Sequence, residues 1–316
     1  MDKKRNVISR NFVTFSWGLT LYILAVIIWG AYVRATGSGA GCGNHWPLCN
    51  GQVLPHSPEL ETIIEFVHRI SSGIGFLLVI VLLVWAFKSF PKGSGVRVFA
   101  SLTMIFMVTE AALGAGLVLF GLVADDDSFA RAWVMAFHLV NTFLLLGCLS
   151  MTGWYAGGKR PPRFEHQTRL GWFLLAALLA LIVLGASGGV AALGDTLFPS
   201  ESLADALEED FSPTAHFLIQ LRVYHPILAI LIGVLVISVS VLAVWKRPNP
   251  DARALAFLTA ILYLFQLGVG VFNLLLLAPV WLQLIHLLMA DLTWMGFCLF
   301  SAAALTVDSD RTSENG

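Results

Sequence analysis

Residues 62–87 read TIIEFVHRISSGIGFLLVIVLLVWAF, and this stretch decides the fold of the chain. It is almost entirely apolar except for Glu65, His68 and Arg69 near its start. A run of this length crosses the hydrocarbon core of a bilayer as one α-helix. Ionisable groups are costly inside a bilayer unless they are paired, ligated or functional, so the same stretch also predicts a site.

Seven more apolar runs of similar length occur along the chain. Of its 316 residues, 57% are hydrophobic and only 12% are charged, which is typical of a protein that crosses a membrane many times. We predict an all-α membrane protein whose environment is the lipid bilayer. Its eight transmembrane helices are predicted at residues 13–33, 62–87, 97–120, 133–155, 168–192, 215–245, 254–277 and 280–306.

Lysine and arginine fall mainly on one side of these helices. With the N-terminus inside, 15 of the 19 basic residues lie in the two tails and the three inner loops, at Lys3, Lys4, Arg5, Arg10, Lys88, Lys92, Arg97, Lys159, Arg160, Arg163, Arg169, Lys246, Arg247, Arg253 and Arg311. By the positive-inside rule we expect a multi-pass protein of the cytoplasmic (inner) membrane, with both termini in the cytoplasm. Because topology explains these charges, they predict no nucleic-acid partner.

Four histidines lie at similar depths in four of the helices: His68, His138, His225 and His286. Each helix would start at the outer surface, which places all four imidazoles roughly 10–15 Å below that boundary. Two histidines in each half of the chain predict two bis-histidine centres, most simply hemes held between facing helices. A single such histidine is often only a hydrogen-bonded packing residue, and zinc or copper would call for a third protein ligand.

The chain has the pattern of a duplicated four-helix unit. The histidine-bearing segments recur in the same order in both halves, and the third helix of each half carries two glycines, Gly114/Gly116 and Gly268/Gly270. Small residues allow close approach of a helix or a flat macrocycle. We predict two pseudo-symmetric four-helix bundles, an N-terminal half at 1–160 and a C-terminal half at 161–316, related by an axis along the membrane normal.

The two halves differ beside their first histidine. Glu65 stands three residues before His68, whereas Arg222 stands three residues before His225. A carboxylate suits proton abstraction or stabilisation of a developing cation, and a guanidinium suits an anion such as a heme propionate. The first half is therefore expected to do chemistry and the second to hold a permanent cofactor. The alternative for Glu65 is a simple ion pair with Arg69, one helical turn further on.

Two more acids, Glu110 and Asp291, lie within predicted helices. Either could relay protons or be hydrogen-bonded inside the bundle. The sequence leaves both roles open.

The first outer loop, within GAYVRATGSGAGCGNHWPLC at residues 30–49, contains Cys42 and Cys49. An oxidising outer compartment permits a disulfide between them. That bond would be either a structural staple or a reducible pair that exchanges electrons or thiols with a partner. Cys148 and Cys298 lie in apolar helices and are expected to act as small hydrophobic residues.

Specific motifs now point to a known family. The run VRATGSG at 33–39, followed by Cys42 and WPLC at 46–49, resembles the first outer loop of the heme A synthase family. EFVHR at 65–69 resembles that family's Glu-x-x-His-Arg motif. The other three histidines fall where the family has its remaining heme ligands, and the resemblance covers roughly residues 13–306.

The resemblance implies an oxidoreductase of cytochrome oxidase assembly. Heme A synthase oxidises a ring methyl of heme O to a formyl group through a hydroxymethyl intermediate. The implied site residues are Glu65 as the catalytic glutamate, His68 and His138 as substrate heme ligands, His225 and His286 as ligands of a cofactor heme b, and Arg34, Arg69 and Arg222 as propionate-binding or supporting residues. Heme O synthase and a redox partner are the candidate protein partners, and the oligomeric state stays open.

One feature departs from the family pattern. The second long outer loop, at about 193–214, is acidic and lacks the cysteine pair that some members carry there. Redox relay through that loop is therefore not expected.

Three other functions would use some of the same residues or the same repeated helices. A di-heme b-type electron-transfer cytochrome would use the same histidines, but hemes at one depth suit transmembrane transfer poorly and Glu65 would be unnecessary. A heme carrier would need the ligands without the carboxylate. A transporter built from parallel repeats needs broken helices near the midplane of both halves, and the sequence shows no such pair of Gly/Pro interruptions.

Overall fold

The protein is described by a computed structural model that covers residues 2–56, 58–160, 168–246 and 249–306, with side chains from Arg10 onwards except that of Thr168. The fold is all-helical. The helices are α1 Asp2–Ala35, α2 Leu60–Ser89, α3 Gly95–Leu119, α4 Phe129–Ala156, α5 Thr168–Leu197, α6 Leu203–Asp210, α7 Phe217–Arg222, α8 Tyr224–Lys246, α9 Pro250–Leu275 and α10 Val280–Ala304. The predicted inner-side residues Arg163, Arg247 and Arg311, and the side chains of Lys3, Lys4 and Arg5, lie outside this description.

In the described part of the chain, eight helical segments are long and apolar enough to cross a membrane. They agree with the eight predicted helices to within a few residues at most ends, so the prediction of a multi-pass protein with eight spans is confirmed. Polar caps fix several starts: the Ser94 and Ser128 hydroxyls accept N–H bonds at the first turns of α3 and α4, and Asn249 does so before α9.

The sixth span differs from the single helix predicted at 215–245. It is divided at Val223, where α7 ends and α8 begins. Pro226 explains the break, because it has no N–H to donate to the carbonyl of Arg222 and its ring crowds that carbonyl. His225 is consequently the second residue of α8 and does not lie ten residues inside an unbroken helix.

The acidic outer loop predicted at about 193–214 also contains more helix than expected. Helix α5 continues to Leu197, and α6 forms a short acidic helix capped by the Ser202 hydroxyl. Both additions contact α7.

The helices pack in two groups of four. In the first, α1 and α3 each contact α2 and α4; in the second, α5 and α9 each contact α8 and α10. Helices α4 and α10 are the most buried spans and also contact each other. Their contact is close because Gly147 faces the indole of Trp294, which stacks on Phe143 and donates its N–H to the Phe143 carbonyl.

Candidate functional site

All four helices of the first group contribute to the surroundings of His68 and His138. His68 projects from α2 against Gly30 of α1, where an added Cβ would lie 2.8 Å from the ring carbon Cε1. His138 projects from α4 towards Gly114 of α3, where the corresponding distance is 3.8 Å. The two members of the predicted first histidine pair thus project from α2 and α4, each towards a glycine of a neighbouring helix.

The second group repeats this arrangement around His225 and His286. An added Cβ at Gly188 of α5 would lie 2.9 Å from Cε1 of His225, and one at Gly270 of α9 would lie 3.0 Å from Cε1 of His286. The two ring centroids are 6.2 Å apart and the ring planes cross at 85°. The rings face each other between α8 and α10.

The ring nitrogens of these histidines are poorly satisfied by protein. Among the described residues, Nδ1 of His68, His138 and His286 is buried without a hydrogen-bond partner. Nδ1 of His225 lies 2.9 Å from the hydroxyl oxygen of Ser187, which leaves the other nitrogen, Nε2, available. Buried polar atoms without partners are costly, so several of them at two matched places indicate ligand sites.

The second pair has the spacing of a bis-histidine metal centre. Two imidazoles that bind one metal from opposite sides at about 2.0 Å have ring centres about 6 Å apart, which agrees with the observed 6.2 Å. The glycine beside each ring leaves no side chain that would push it aside. The residues present therefore fit a heme held between α8 and α10.

Glu65 is buried beside the first site, with 3% of its surface exposed. One carboxylate oxygen, Oε2, accepts the backbone N–H of Cys42 at 2.8 Å. The other, Oε1, accepts Nε of Arg69 at 3.0 Å and forms an ion pair with the same guanidinium. The ion pair considered in the sequence analysis is therefore present, and it holds the carboxylate in one orientation.

The first outer loop is fastened onto α2 at this point. The predicted Cys42–Cys49 disulfide is present. Arg69 donates to the carbonyl of Leu48 at 2.6 Å and also to that of His45. Gly41 packs so closely on the start of α2 that an added Cβ would lie 2.5 Å from the carbonyl oxygen of Glu61.

Arg34 reaches from α1 into the second group of helices. Its guanidinium donates to the Ala192 carbonyl at 2.7 Å, the Thr196 hydroxyl at 2.6 Å and the Gln283 side-chain carbonyl at 2.9 Å. These contacts make Arg34 a link between α1, α5 and α10.

Arg222 is surrounded by carboxylates of the acidic outer loop. It forms ion pairs with Asp195 at 3.4 Å, Glu209 at 3.8 Å and Asp210. All three arginines named from the sequence, Arg34, Arg69 and Arg222, thus have partners within the protein. Binding of a heme propionate by any of them stays a prediction.

The two intramembrane acids have very different surroundings. Glu110 accepts the side-chain N–H of Asn141 at 2.6 Å and lies 2.6 Å from the Thr142 hydroxyl. Its Oε1 is 3.6 Å from Nδ1 of His138. Asp291 is completely buried in α10, and neither of its carboxylate oxygens has a hydrogen-bond partner among the described residues.

Gly30, Gly188 and Ser187 were not predicted as site residues from the sequence. The repeat itself contained the signal for the two glycines, because Gly30 and Gly188 are separated by nearly the same interval as His68 and His225. Of the glycines that were named, Gly114 and Gly270 face histidines. An added Cβ at Gly116 would instead meet the ring of Phe120, and one at Gly268 would meet nothing within 4 Å among the described residues.

Comparison with known proteins identifies the family. Residues 13–298 match COX15-CtaA, a family described as cytochrome oxidase assembly protein. This chain belongs to that family. The match reaches all eight spans and leaves out only the first three residues of the first span and the last six of α10.

Similar proteins from bacteria fall into two groups. Two strains of Thermus thermophilus have a relative named protoheme IX farnesyltransferase, 49% identical over 297 residues, which are 94% of this chain and 49% of the relative. The chain thus spans about half the length of these relatives. A heme A synthase of an Exiguobacterium species is 44% identical over 110 residues, or 35% of this chain and 36% of the relative. One from Halalkalibacterium halodurans is 41% identical over 112 residues, or 35% and 38%.

Proposed function

We propose that this protein is a heme A synthase, which oxidises a ring methyl of heme O to a formyl group through a hydroxymethyl intermediate. Membership of the COX15-CtaA family and partial similarity to two heme A synthases support this function. The observation that carries it is the buried carboxylate of Glu65, found beside only one of two otherwise similar histidine pairs.

In this proposal, His68 and His138 hold the substrate, heme O, and His225 and His286 hold a resident heme b. The matched glycines and the unsatisfied ring nitrogens support a planar ligand at both places. A heme in the second half would supply one-electron redox chemistry. The protein would contribute the imidazole nitrogens of His225 and His286 that hold this heme.

Glu65 acts on the substrate in the first half. Each of the two oxidations removes two electrons and two protons overall, so positive charge develops at the methyl carbon as the electrons leave. In the first oxidation, water supplies the oxygen of the hydroxymethyl group. A carboxylate fixed by Cys42 and Arg69 stabilises that charge without having to reorient, or accepts a proton. The ion pair with Arg69 offsets part of the cost of burying a carboxylate in an apolar region.

We also propose that the chain consists of two repeated halves, 1–160 and 161–316, with both termini in the cytoplasm. The matching contacts within α1–α4 and within the set of α5 and α8–α10 support the first statement. The distribution of lysine and arginine supports the second.

The Thermus relatives support heme O synthase as a functional partner. Their name denotes farnesyl transfer to protoheme IX, and this chain matches only half of their length. A heme O synthase performs that transfer and so makes the substrate proposed here. A redox protein that accepts the electrons completes the proposed set of partners.

The proposed function is tested by pigment analysis of purified protein co-produced with a heme O supply. Glu65→Gln should lower heme A formation by about 100-fold or more, because the substituted amide neither carries charge nor accepts a proton. Glu61→Gln, which changes an exposed carboxylate in the same helix, should leave the yield unchanged. Extracted hemes are identified by mass.

Two results would contradict the proposal. Only heme b in the wild-type protein, with no hydroxymethyl or formyl product, would favour an electron-transfer cytochrome. Heme O that is bound but never oxidised in the wild-type protein would favour a carrier.

A further inference from the structure

Helices α3 and α9 carry corresponding polar residues that differ in charge. Glu110 lies four residues before Gly114, and Gln266 lies four residues before Gly270; each of these glycines faces a histidine. Oε1 of Glu110 is 3.6 Å from Nδ1 of His138. Nε2 of Gln266 is 3.3 Å from Nε2 of His286. The same helix position therefore holds a carboxylate near Nδ1 of His138 in the first site and a neutral amide near Nε2 of His286 in the second.

The helix that faces Glu110 holds its carboxylate in place. His138, Asn141 and Thr142 lie on one face of α4, since they are three and four residues apart. Asn141 donates to Oε2 of Glu110 at 2.6 Å, and the Thr142 hydroxyl lies 2.6 Å from Oε1. The residues three and four positions after His286 in α10 are Met289 and Ala290, which have no hydrogen-bond donor in their side chains.

Glu110 is not needed to satisfy these neighbours. Asn141 also donates to the Phe106 carbonyl at 2.8 Å, and the Thr142 hydroxyl lies 3.0 Å from the His138 carbonyl. By contrast, Nδ1 of His138 has no hydrogen-bond partner among the described residues. The carboxylate of Glu110 is the charged acceptor that lies beside it, at 3.6 Å.

We propose that Glu110 is a positioning residue that accepts the Nδ1–H of His138 and directs Nε2 of that ring towards the metal of the bound heme. This inference rests on the proposed function, because it needs a heme at the first histidine pair. A carboxylate on the far nitrogen of a ligating imidazole makes the ring a stronger electron donor and stabilises the higher oxidation state of the metal. Gln266 gives His286 no such charge, so the two hemes are built to have different reduction potentials.

The experiment is a spectroelectrochemical titration of the purified holoprotein loaded with protoheme at both sites. Glu110→Gln keeps the size of the side chain and can still bond Asn141 and Thr142, but it removes the charge. It should shift the ferric–ferrous equilibrium of the first-site heme about tenfold towards ferrous, which is 59 mV for one electron. The second-site heme should be unchanged.

Gln266→Glu is the matched control and should shift only the second-site heme, in the opposite direction. The hemes are assigned with His138→Ala and His286→Ala.

Each outcome has a defined meaning. Wild-type potentials for both hemes in Glu110→Gln, at full heme content, would overturn the inference while leaving the heme sites intact. If Glu110→Gln loses the first heme, retention of that heme by Glu110→Asp supports a need for charge at this position. Loss in both variants together with lower thermal stability would mean a purely structural role and overturn it. A wild-type protein that binds no heme would instead refute the proposed function.

Discussion

Gly30 and Gly188 set how closely His68 and His225 approach the neighbouring helices. Glycine is unfavourable in a helix interior by about 1 kcal/mol relative to alanine, so helix propensity does not explain its presence in α1 or α5. The lack of space for a side chain explains it, because a Cβ at either place would lie under 3 Å from a ring carbon of the histidine. A ring displaced in this way would no longer face its partner across the bundle.

We expect Gly30→Ala to remove most of the bis-histidine heme signal of the first site, and Gly188→Ala that of the second. The added methyl group collides with the imidazole, whereas the helix itself gains from the substitution. Optical spectra and heme-to-protein ratios of the purified variants measure the effect. Gly18→Ala in the same helix as Gly30 is the control, because its Cβ would meet nothing within 4 Å. Equal heme loss in Gly18→Ala and Gly30→Ala would refute the steric explanation.

At the scale of elements, the first outer loop and α2 form one unit around Glu65. The loop is closed by the Cys42–Cys49 disulfide, and the N–H of Cys42 is the group that bonds the carboxylate. Closing a covalent loop of this size lowers the conformational entropy of the unfolded chain, which stabilises the folded state by about 2–3 kcal/mol. The disulfide therefore acts on the site through the position of the loop, and this interpretation needs no exchange of electrons.

Opening the loop should lower heme A formation several-fold while second-site heme content stays at the wild-type level. The double variant Cys42→Ala with Cys49→Ala and wild-type protein reduced with dithiothreitol should lose activity equally, because both lack the same tether. Activity is followed as heme A formed per mole of protein. An active double variant alongside an inactive reduced wild type would contradict the structural role. So would a double variant that completes one turnover and then stops, which is the behaviour of a missing redox pair.

At the scale of the whole molecule, Arg34 connects the two groups of helices near the histidine pairs. Its three hydrogen bonds join α1 to α5 and α10. The two groups also meet where α4 contacts α5 and α10, and Gly147 allows close contact with α10. The charged contact is thus added to an interface that is otherwise built on close apolar packing.

We expect Arg34→Gln to lower the Tm of the protein in detergent by several degrees, because each buried acceptor left without a donor costs about 1–3 kcal/mol. Arg97→Gln is the control, since Arg97 bonds the Phe87 carbonyl within the first group of helices. Thermal unfolding is measured with and without bound heme. If the loss of stability disappears in the heme-free protein, Arg34 binds a propionate and does not act as a support.

The sequence predicted the spans well because a membrane helix is a local pattern. Twenty apolar residues must satisfy their own backbone hydrogen bonds, so length and hydropathy alone specify a helix. Pro226 was equally visible, but its effect on α7 and α8 was missed because the apolar run continues through it. The disulfide was predictable because Cys42 and Cys49 lie close together in an outer loop.

What the sequence determined by itself is therefore the number of spans, the four candidate ligands, the carboxylate at Glu65 and the disulfide. Each depends on residue type and on spacing along one segment. Only the tertiary structure decided that Arg34 links the two groups of helices, that Gly30 faces His68 and that Glu110 faces His138. Those contacts join different helices, and the rotation of one helix against another is set by side-chain packing across the whole bundle, which no single segment contains.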